Sequence, residues 1–379
     1  MPTFTEFDQR AMARALELAE KGANTTHPNP RVGCVIAKDG EIIAEGWHER
    51  AGGPHAEVAA LRALASGPGL QAAHGSTVYV TLEPCSHHGR TPPCADALVS
   101  ARVARVVMAI PDPNPRVAGR GAVMLTQAGI RVDMGLMEAE AEELNVGFLK
   151  RHRKGVPFVR VKVGMSLDAR TALANGKSKW ITGDAARDDV QYWRARSSAV
   201  LTGIGTVLAD DPKLNVRMPG VERQPMIVVL DSNAQMRPNA NVFAGGGPVI
   251  VFTKNDSAPG VAALRMRGAR LETVGSALPG GPRAGASSGP LDLAAVLAKL
   301  GELEVNELLV EAGPTLTGAF VRAGLVDELL IYMAPKLLGP QSRPLFDLPL
   351  IEDLQQAQSF SIIEAKQIDR DLRLRLRPA

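Results

Sequence analysis

The 379-residue sequence has few aromatic residues and almost no net charge. Nine Phe, three Trp and three Tyr are spread over the chain, and 43 Lys and Arg nearly balance 40 Asp and Glu. Proteins that bind nucleic acid usually have a concentrated basic face or aromatic residues for base stacking. We therefore expect a small-molecule substrate and no nucleic-acid partner.

The sequence also lacks long apolar runs. Residues 103–110, which include Arg105, are far shorter than the ~20 residues that a membrane helix needs. Glu6, Asp8 and Arg10 lie where a signal peptide would need an apolar core. The sequence therefore predicts no membrane segment, no export and a cytoplasmic location.

Cysteine is rare, with only Cys34, Cys85 and Cys94 in the chain. An odd number of cysteines in a reducing compartment argues against a disulfide framework and favours metal, catalytic or core roles. All three cysteines and six of the seven histidines precede residue 95. Any metal chemistry therefore belongs to the first part of the chain.

The length of the chain and the order of its predicted strands and helices predict two α/β domains. Apolar residues make up 45% of the chain and charged residues 22%, which is typical of globular proteins, and one domain has roughly 150 residues as a prior. Strand-like and helix-like patterns alternate in both halves. A basic run at 150–155 is interpreted as a solvated linker, so the predicted domains are 1–150 and 156–379. The Gly-, Pro- and Ser-rich stretch 275–290 predicts a surface loop.

Several local elements follow from turn and capping signals. Thr3 and Glu6 suggest a capping box for a helix over residues 3–21, and Asp39-Gly40 indicates a hairpin. Pro54 suits the first position of a helix over 54–65. A strand is predicted over residues 77–82.

Pro54-His55-Ala56-Glu57 and the stretch Thr81–Cys94 contain a candidate zinc site. One imidazole and two thiolates complete three corners of a Zn²⁺ tetrahedron and leave the fourth for water, as in catalytic zinc sites. The ligands are His55, Cys85 and Cys94. Glu57 lies in the same first helical turn as His55, where it can reach the water as a general acid and base.

The spacing differs from the usual zinc deaminase pattern. Nucleobase deaminases have H-x-E followed by P-C-x-x-C, whereas eight residues separate Cys85 from Cys94. The alternative is a structural zinc site, which would need a fourth ligand from His87, His88 or Cys34. We favour catalysis because Glu57 accompanies a three-ligand set, and we interpret Cys34 as a buried strand residue.

Longer motifs resemble a known family. They are Thr26–Gly33, His55–Glu57, Thr81–Cys94, Asp112–Gly119, Trp180–Thr182 and Val310–Gly339. They resemble the bifunctional deaminase/reductase of bacterial riboflavin biosynthesis over nearly the full length, and in that family the long cysteine spacing is normal. The resemblance implies an N-terminal cytidine-deaminase-like three-layer domain and a C-terminal dihydrofolate-reductase-like domain.

For the first domain the resemblance implies hydrolytic removal of the 2-amino group from a diaminopyrimidine ribosylamino 5′-phosphate. His55, Cys85 and Cys94 would bind zinc, and Glu57 would shuttle protons. Four further positions would hold the base, ribose and phosphate, although each taken alone also fits a structural role: Asn29, His48, His87 and Arg90.

In the second half no G-x-G-x-x-G follows a strand, so a Rossmann fingerprint is absent. Gly203-Ile204-Gly205-Thr206 and Gly313–Gly318 each follow a predicted strand, and the latter opens a helix. Such turns bind phosphates through backbone N–H groups. Ordinary strand-to-helix connections explain them equally well.

For the second domain the resemblance implies reduction of the ribosyl side chain to ribityl by NADPH. The implied cofactor residues are Gly164, Trp180, Thr206, Asp210, Ser232, Gly313, Pro314, Thr315, Leu316, Thr317, Gly318 and Ala319. The implied substrate residues are Ser178, Arg194, Leu214, Arg217 and Glu311. Candidates for proton transfer are Lys162, Asp168 and Asp210. Two plain alternatives remain, Trp180 as a core residue and Asp210-Asp211-Pro212 as a helix-ending turn.

Other functions fit parts of the sequence. A deaminase acting on tRNA or cytidine shares the zinc motif but leaves some 220 residues unexplained, and a zinc-stapled binding protein leaves Glu57 unexplained. A degenerate reductase half is a third possibility. A homo-oligomer, dimer or tetramer, is expected.

Overall fold

The computed structural model describes residues 3–86, 93–114, 118–275 and 290–379. The chain forms two compact units, residues 1–155 and 156–379. Both are α/β, as predicted. In the part of the chain described here, no helix has the length and apolar character needed to cross a membrane.

The first unit has a five-stranded sheet with helices on both faces. Its elements are α1 (Glu6–Glu20), β1 (Gly33–Lys38), β2 (Glu41–Trp47), α2 (Ala56–Ser66), β3 (Thr77–Leu82), α3 (Cys94–Ser100), β4 (Arg105–Ile110), α4 (Arg120–Gln127), β5 (Arg131–Met134), α5 (Glu138–Leu144) and α6 (Val146–Lys154). The strand order is β2-β1-β3-β4-β5. β1 is antiparallel to β2 and β3, and β3, β4 and β5 are parallel.

Alternating side chains of β1 show how the layers form. Cys34 and Ile36 join the core that contains α2, α3 and α4, whereas Val35 and Ala37 join the core that contains α1, α5 and α6. Successive residues of a strand point to opposite faces of the sheet. The predicted three-layer arrangement of the first domain is thereby confirmed.

Two local predictions for this unit were wrong. The capping box of α1 is formed by Thr5 and Asp8, not by Thr3 and Glu6. The Asp8 carboxylate also accepts hydrogen bonds from Tyr79 and Arg105 on distant strands, and these contacts fix the start of the helix. Pro54 lies outside α2, because the N-cap of α2 is His55.

The basic run 150–155 is also not a linker. Residues 150–154 form the last turn of α6, and Gly155 ends the helix with φ of 73°. Cations are favourable at a helix C-terminus because they face the negative end of its dipole.

The second unit has a nine-stranded sheet. Its elements are β6 (Phe158–Ser166), β7 (Arg170–Ala172), α7 (Asp184–Arg196), β8 (Ala199–Gly203), α8 (Ile204–Asp210), β9 (Met226–Leu230), β10 (Val249–Thr253), α9 (Pro259–Met266), β11 (Arg270–Thr273), α10 (Leu293–Glu302), β12 (Glu307–Val310), α11 (Pro314–Arg322), β13 (Glu328–Ala334), β14 (Arg343–Pro344), β15 (Phe360–Ile368) and β16 (Asp371–Pro378). The order is β11-β10-β9-β8-β12-β6-β13-β16-β15. The first seven strands in this order are parallel to one another, and β16 is antiparallel to both of its neighbours, β13 and β15.

Apart from the edge strand β11, the parallel strands of this sheet are mostly buried on both faces. Leu201 of β8 packs in one core and its neighbour Val200 packs in the other. The carboxyl ends of parallel strands meet at one edge, where α/β proteins bind their ligands. The loop predicted over 275–290 lies almost entirely outside the described residues.

Candidate active sites

Three predicted zinc ligands come together in the first unit. The His55 Nδ1 atom lies 3.5 Å from Cys85 Sγ and 3.3 Å from Cys94 Sγ, and the three ligand atoms are all within 4.8 Å of one another. Tetrahedral zinc with ordinary bond lengths separates its ligand atoms by roughly 3.5–3.8 Å. The donor set and its spacing therefore fit a zinc ion.

Local structure places these ligands. His55 is the N-cap of α2, so Glu57 falls in the first turn of the same helix. Cys94 is the first residue of α3, and its backbone N–H donates to Cys85 Sγ at 3.2 Å. This bond joins the two cysteines directly, which explains how cysteines separated by eight residues in sequence can ligate one ion.

Two groups of the site, the Cys85 thiol and the Glu57 carboxyl, have shifted pKa values. Hydrogen bonds with the Cys94 thiol and with His55 lower the pKa of the Cys85 thiol to about 4, against its burial. Burial, and next the charge of Cys85, raise the pKa of the Glu57 carboxyl above its ordinary value. Glu57 is only 3% exposed and lies in hydrogen-bond contact with Cys94. The site thus combines a thiolate ligand with a carboxyl group that can hold a proton.

Cys34 does not take part in this group. It is buried in β1, and the only metal-binding group found among the described residues is His55, Cys85 and Cys94. The interpretation of Cys34 as a core residue is confirmed. His87 and His88, the other candidates for a fourth ligand, lie outside the described residues.

Two of the predicted substrate residues lie beside the zinc ligands. The Asn29 Nδ2 atom is 3.1 Å from His48 Nε2, and the His48 ring is 5.4 Å from the His55 ring, centre to centre. His48 Nδ1 donates to the Pro54 carbonyl at 2.8 Å, so Nε2 is free to accept from the Asn29 amide. His87 and Arg90, the other two, lie outside the described residues.

Sequence reasoning missed Glu83, which lies two residues before Cys85. Its buried carboxylate accepts backbone N–H bonds at 3.0–3.2 Å from Asp112, Gly119, Gly121 and Ala122. A Cβ on Gly121 would lie 2.1 Å from the Pro84 carbonyl oxygen, so only glycine allows this approach. A charged residue directly after a buried strand was the available signal.

The second unit brings together Lys162, Arg194 and Glu311. Arg194 binds both carboxylate oxygens of Glu311, at 2.6 and 3.0 Å, and Lys162 Nζ lies 3.4 Å from Glu311. Although burial opposes ionisation, the two cations hold the pKa of the Glu311 carboxyl at about 2. Glu311 is therefore ionised at neutral pH.

Arg194 also connects this cluster to two other predicted substrate residues. Its Nη1 atom donates to the Asn215 carbonyl at 3.0 Å, and Asn215 lies between Leu214 and Arg217. Leu214 is buried, whereas Arg217 is exposed. Ser178 is half-buried and lies next to the loop that carries Trp180.

The predicted cofactor turns are adjacent. Gly203 and Gly313 are the N-caps of α8 and α11, which follow the neighbouring strands β8 and β12. A Cβ on Gly203 would lie 3.1 Å from Leu316, whereas one on Gly205 or Gly313 would have no neighbour within 4 Å. These two glycines therefore border open space.

The remaining predicted cofactor residues lie in different surroundings. Trp180 is 64% exposed with the Arg187 guanidinium 4.3 Å from its ring, so its interpretation as a core residue was wrong. Thr317 is buried, and a Cβ on Gly318 would lie 2.5 Å from the Asp347 carbonyl, so this part of α11 packs against protein.

The other cofactor positions lie within strands or helices or directly after them. Ser232 directly follows β9, Thr206 and Asp210 belong to α8, Gly164 lies within β6, and Pro314, Thr315, Leu316 and Ala319 belong to α11. Asp210 ends α8 and Asp211 follows with φ of 42°, so the predicted helix-ending turn is confirmed.

Of the three candidates for proton transfer, Asp168 already accepts hydrogen bonds at both of its carboxylate oxygens. It accepts hydrogen bonds from the Ser166 hydroxyl and from the backbone N–H groups of Leu338 and Gly339. The Ser166 bond is the main reason that the pKa of this carboxyl is lowered to about 2. Asp168 therefore acts as an anchor for the loop at residues 338–339.

Comparison with known proteins identifies relatives of both units. Residues 5–110 match the model of the cytidine and deoxycytidylate deaminase zinc-binding region, and residues 157–370 match that of the RibD C-terminal domain. The riboflavin biosynthesis protein RibD of Escherichia coli strain K12 is 50% identical over 97% of this chain and 99% of its own length. RibD of Haemophilus influenzae is 44% identical over 100% and 99%.

Solved structures agree with these matches. Acinetobacter baumannii RibD is 45% identical, with a TM-score of 0.88 over 99% of both chains. A Thermotoga maritima protein described as a diaminohydroxyphosphoribosylaminopyrimidine deaminase/5-amino-6-(5-phosphoribosylamino)uracil reductase is 33% identical, with a TM-score of 0.85 over 98% of this chain and 99% of its own. The predicted deaminase-like and dihydrofolate-reductase-like domains are confirmed.

Proposed function

Because this chain belongs to the RibD family, and so is a bifunctional deaminase and reductase of riboflavin biosynthesis, we propose that its two sites act in turn on one pyrimidine. The first site would remove the 2-amino group of 2,5-diamino-6-(5-phosphoribosylamino)pyrimidin-4(3H)-one by hydrolysis. The second would reduce the ribosyl side chain of 5-amino-6-(5-phosphoribosylamino)uracil to ribityl with NADPH. The zinc-fitting His55–Cys85–Cys94 group beside Glu57 is the observation that carries the proposal.

In the deaminase site, zinc bound by His55, Cys85 and Cys94 would supply an activated water at the open fourth position. Glu57 would take one proton from the water and pass it to the ring nitrogen as the oxygen adds to C2, and would then pass the second proton, from the added hydroxyl, to the amino group, which leaves as ammonia as the C2 carbonyl forms. Asn29 and His48 would orient the base, since their mutual hydrogen bond fixes both side chains near His55. His87 and Arg90 are proposed to bind the ribose and phosphate.

In the reductase site, Arg217 would contribute most of the charge for the substrate phosphate. An arginine has five N–H donors, and Arg194 already uses three of them on Glu311 and Asn215. Arg194 would bind the substrate with the remaining donors, and Glu311, Leu214 and Ser178 would complete the pocket.

The family implies a nicotinamide cofactor for the reductase unit, and we propose NADPH. Its phosphates would lie at Gly203–Thr206 and Gly313–Ala319, because Gly205 and Gly313 border open space at helix starts. Lys162 is the proposed proton donor, since its Nζ atom lies 3.4 Å from the Glu311 carboxylate of the proposed substrate pocket, whereas Asp168 is held ionised by the hydrogen bonds of its loop.

The experiment follows ammonia and NADPH separately with the full chain. Ammonia should be released from the diaminopyrimidine substrate without NADPH, and NADPH should be oxidised only when the deaminated product is present. Free cytidine and an RNA hairpin serve as competing substrates. Ammonia from either of these, with none from the diaminopyrimidine, would contradict the proposal. The cytoplasmic location and the homo-oligomeric state remain predictions.

A further inference from the structure

A segment without regular secondary structure carries two of the proposed substrate residues. Residues 212–217 lie in the connection between α8 and β9, outside every helix and strand. Leu214 is buried there with φ of 53°, a backbone conformation that leucine rarely adopts. Such a conformation persists only when surrounding groups hold it in place.

Two glutamine side chains hold the main chain of this segment. Gln224 accepts a hydrogen bond from the Val216 N–H at 2.8 Å and donates one to the Val216 carbonyl at 3.0 Å. Gln191 accepts from the Arg217 N–H at 3.0 Å. The Gln224 amide thus pairs with Val216 as a neighbouring strand would, and the Gln191 side chain holds the next residue.

Both glutamines are themselves fixed. Gln191 belongs to α7 and is 6% exposed. Gln224 lies two residues before β9 and next to Arg223, which donates to the carbonyls of Ala195 and Ser197 at 3.0 and 2.8 Å. The segment is therefore held by two groups that are anchored to the end of α7 and to the start of β9.

We propose that Gln191 and Gln224 are positioning residues of the reductase site. They fix the main chain at Val216 and Arg217, so that the exposed Arg217 side chain is directed at the substrate phosphate. Gln224 and Gln191 act through Arg217 and not by contact with the substrate. This inference rests on the proposed function, because it requires that Arg217 binds the substrate.

The test compares four single variants of the full chain. Gln224→Leu has a similar volume but loses both hydrogen bonds to Val216, and Gln191→Leu loses the acceptor for Arg217, whereas Gln191→Glu keeps it. Gln224→Leu should raise the KM of the deaminated pyrimidine about tenfold, the effect of losing one or two hydrogen bonds. Gln191→Leu should raise this KM less, and Gln191→Glu, which keeps the acceptor, should leave it at the wild-type value. Arg217→Ala provides the reference rise in KM.

The affinity for NADPH, measured by fluorescence titration, should stay the same in all four variants. An unchanged affinity for NADPH shows that the second unit is folded in each variant. Ammonia release by the first unit should also be unchanged. A weaker affinity for NADPH in Gln224→Leu would overturn the proposal, since the glutamine would then support the whole unit.

A double variant separates positioning from independent binding. If Gln224 acts through Arg217, Gln224→Leu should raise KM no further in the Arg217→Ala background. Additive effects would overturn the proposal, as would an unchanged KM in Gln224→Leu while Arg217→Ala raises it. An unchanged KM in Arg217→Ala would instead contradict the proposed function, and this inference with it.

Discussion

The two units assemble their sites from the chain in opposite ways. In the first unit, His55 and Glu57 are two residues apart at one helix start, and only eight residues separate Cys85 from Cys94. In the second unit, Glu311 pairs with Arg194 and Lys162, which are 117 and 149 residues away in sequence. A site built from short loops leaves a motif in the sequence, whereas a site built at the ends of several strands does not.

The largest expected effect concerns the first site. Glu57→Gln should reduce the rate of ammonia release by about 10²–10⁴-fold, because the amide cannot shuttle a proton. Zinc content measured by elemental analysis should be unchanged, and NADPH oxidation with supplied product should continue at the wild-type rate. Glu41→Gln, an exposed change on β2, is the control. Loss of zinc from Glu57→Gln would mean that Glu57 is a ligand.

The same contrast decided what the sequence could predict. The strand over 77–82 and the zinc ligands were predictable because their signals lie within a few residues. The start of α1 was predicted wrongly because Tyr79 and Arg105 bind Asp8 from distant strands.

Glu83 and Gln224 could not be found from the sequence for a related reason. Both bind backbone groups of loops whose conformation appears only in the folded chain. For the reductase unit, the residues themselves therefore indicated only the two glycine turns, and the assigned cofactor and substrate positions came from the family resemblance.

The second prediction concerns acid stability, to which buried carboxylates of the second unit contribute. The fully buried Glu328 is held by Arg160 at 2.6 Å and Arg375 at 2.7 Å, which lower the pKa of its carboxyl from 4.5 to about 2 against its burial. The unfolded chain then binds more protons between these two pKa values. The Glu328 contribution is complete above about pH 4.5, and roughly 3 kcal/mol is lost as the pH falls to 2.

Urea unfolding of Glu328→Gln at pH values from 2 to 7 tests this. The variant should be less stable at pH 7, because its arginine partners lose a buried counter-charge, but its stability should fall less steeply in acid. Glu352→Gln, an exposed change, should match the wild type. Equal slopes for wild type and Glu328→Gln would contradict the assignment.

The third prediction examines substrate binding in the second site. Arg194→Ala should raise the KM of the deaminated pyrimidine about 10- to 150-fold, as expected for loss of a charged hydrogen-bonding group worth ~1.5–3 kcal/mol. The affinity for NADPH should be nearly unchanged, and ammonia release should be unaffected. A parallel loss of NADPH affinity would place Arg194 at the cofactor.

The fourth prediction examines the cofactor turn. Gly313 has ordinary extended backbone angles, and a Cβ there would have no neighbour within 4 Å, so the fold should accept Gly313→Val. The side chain would instead occupy the space proposed for the cofactor phosphates. The Kd for NADPH should rise about tenfold, the size of losing one or two hydrogen bonds, while ammonia release stays the same. An unchanged Kd would mean that the phosphates bind elsewhere.

The smallest effect is expected when the two units are separated. Among the described residues, the core clusters of the first unit lie within residues 1–155 and those of the second within 156–379. A fragment of residues 1–155 should therefore release ammonia within about threefold of the full-chain rate, as expected of a domain with its own core. Residues 156–379 should oxidise NADPH with the deaminated product.

A shorter fragment, residues 1–145, is the matched control for the first unit. It keeps every proposed zinc and substrate residue but loses α6, whose Phe148 and Leu149 are buried in the same core as Met12 of α1. Removing two large buried side chains costs several kcal/mol, comparable to the whole stability of many domains. We expect this fragment to be unfolded by circular dichroism and inactive. An active 1–145 fragment would show that α6 is dispensable and that the zinc site depends on a smaller core.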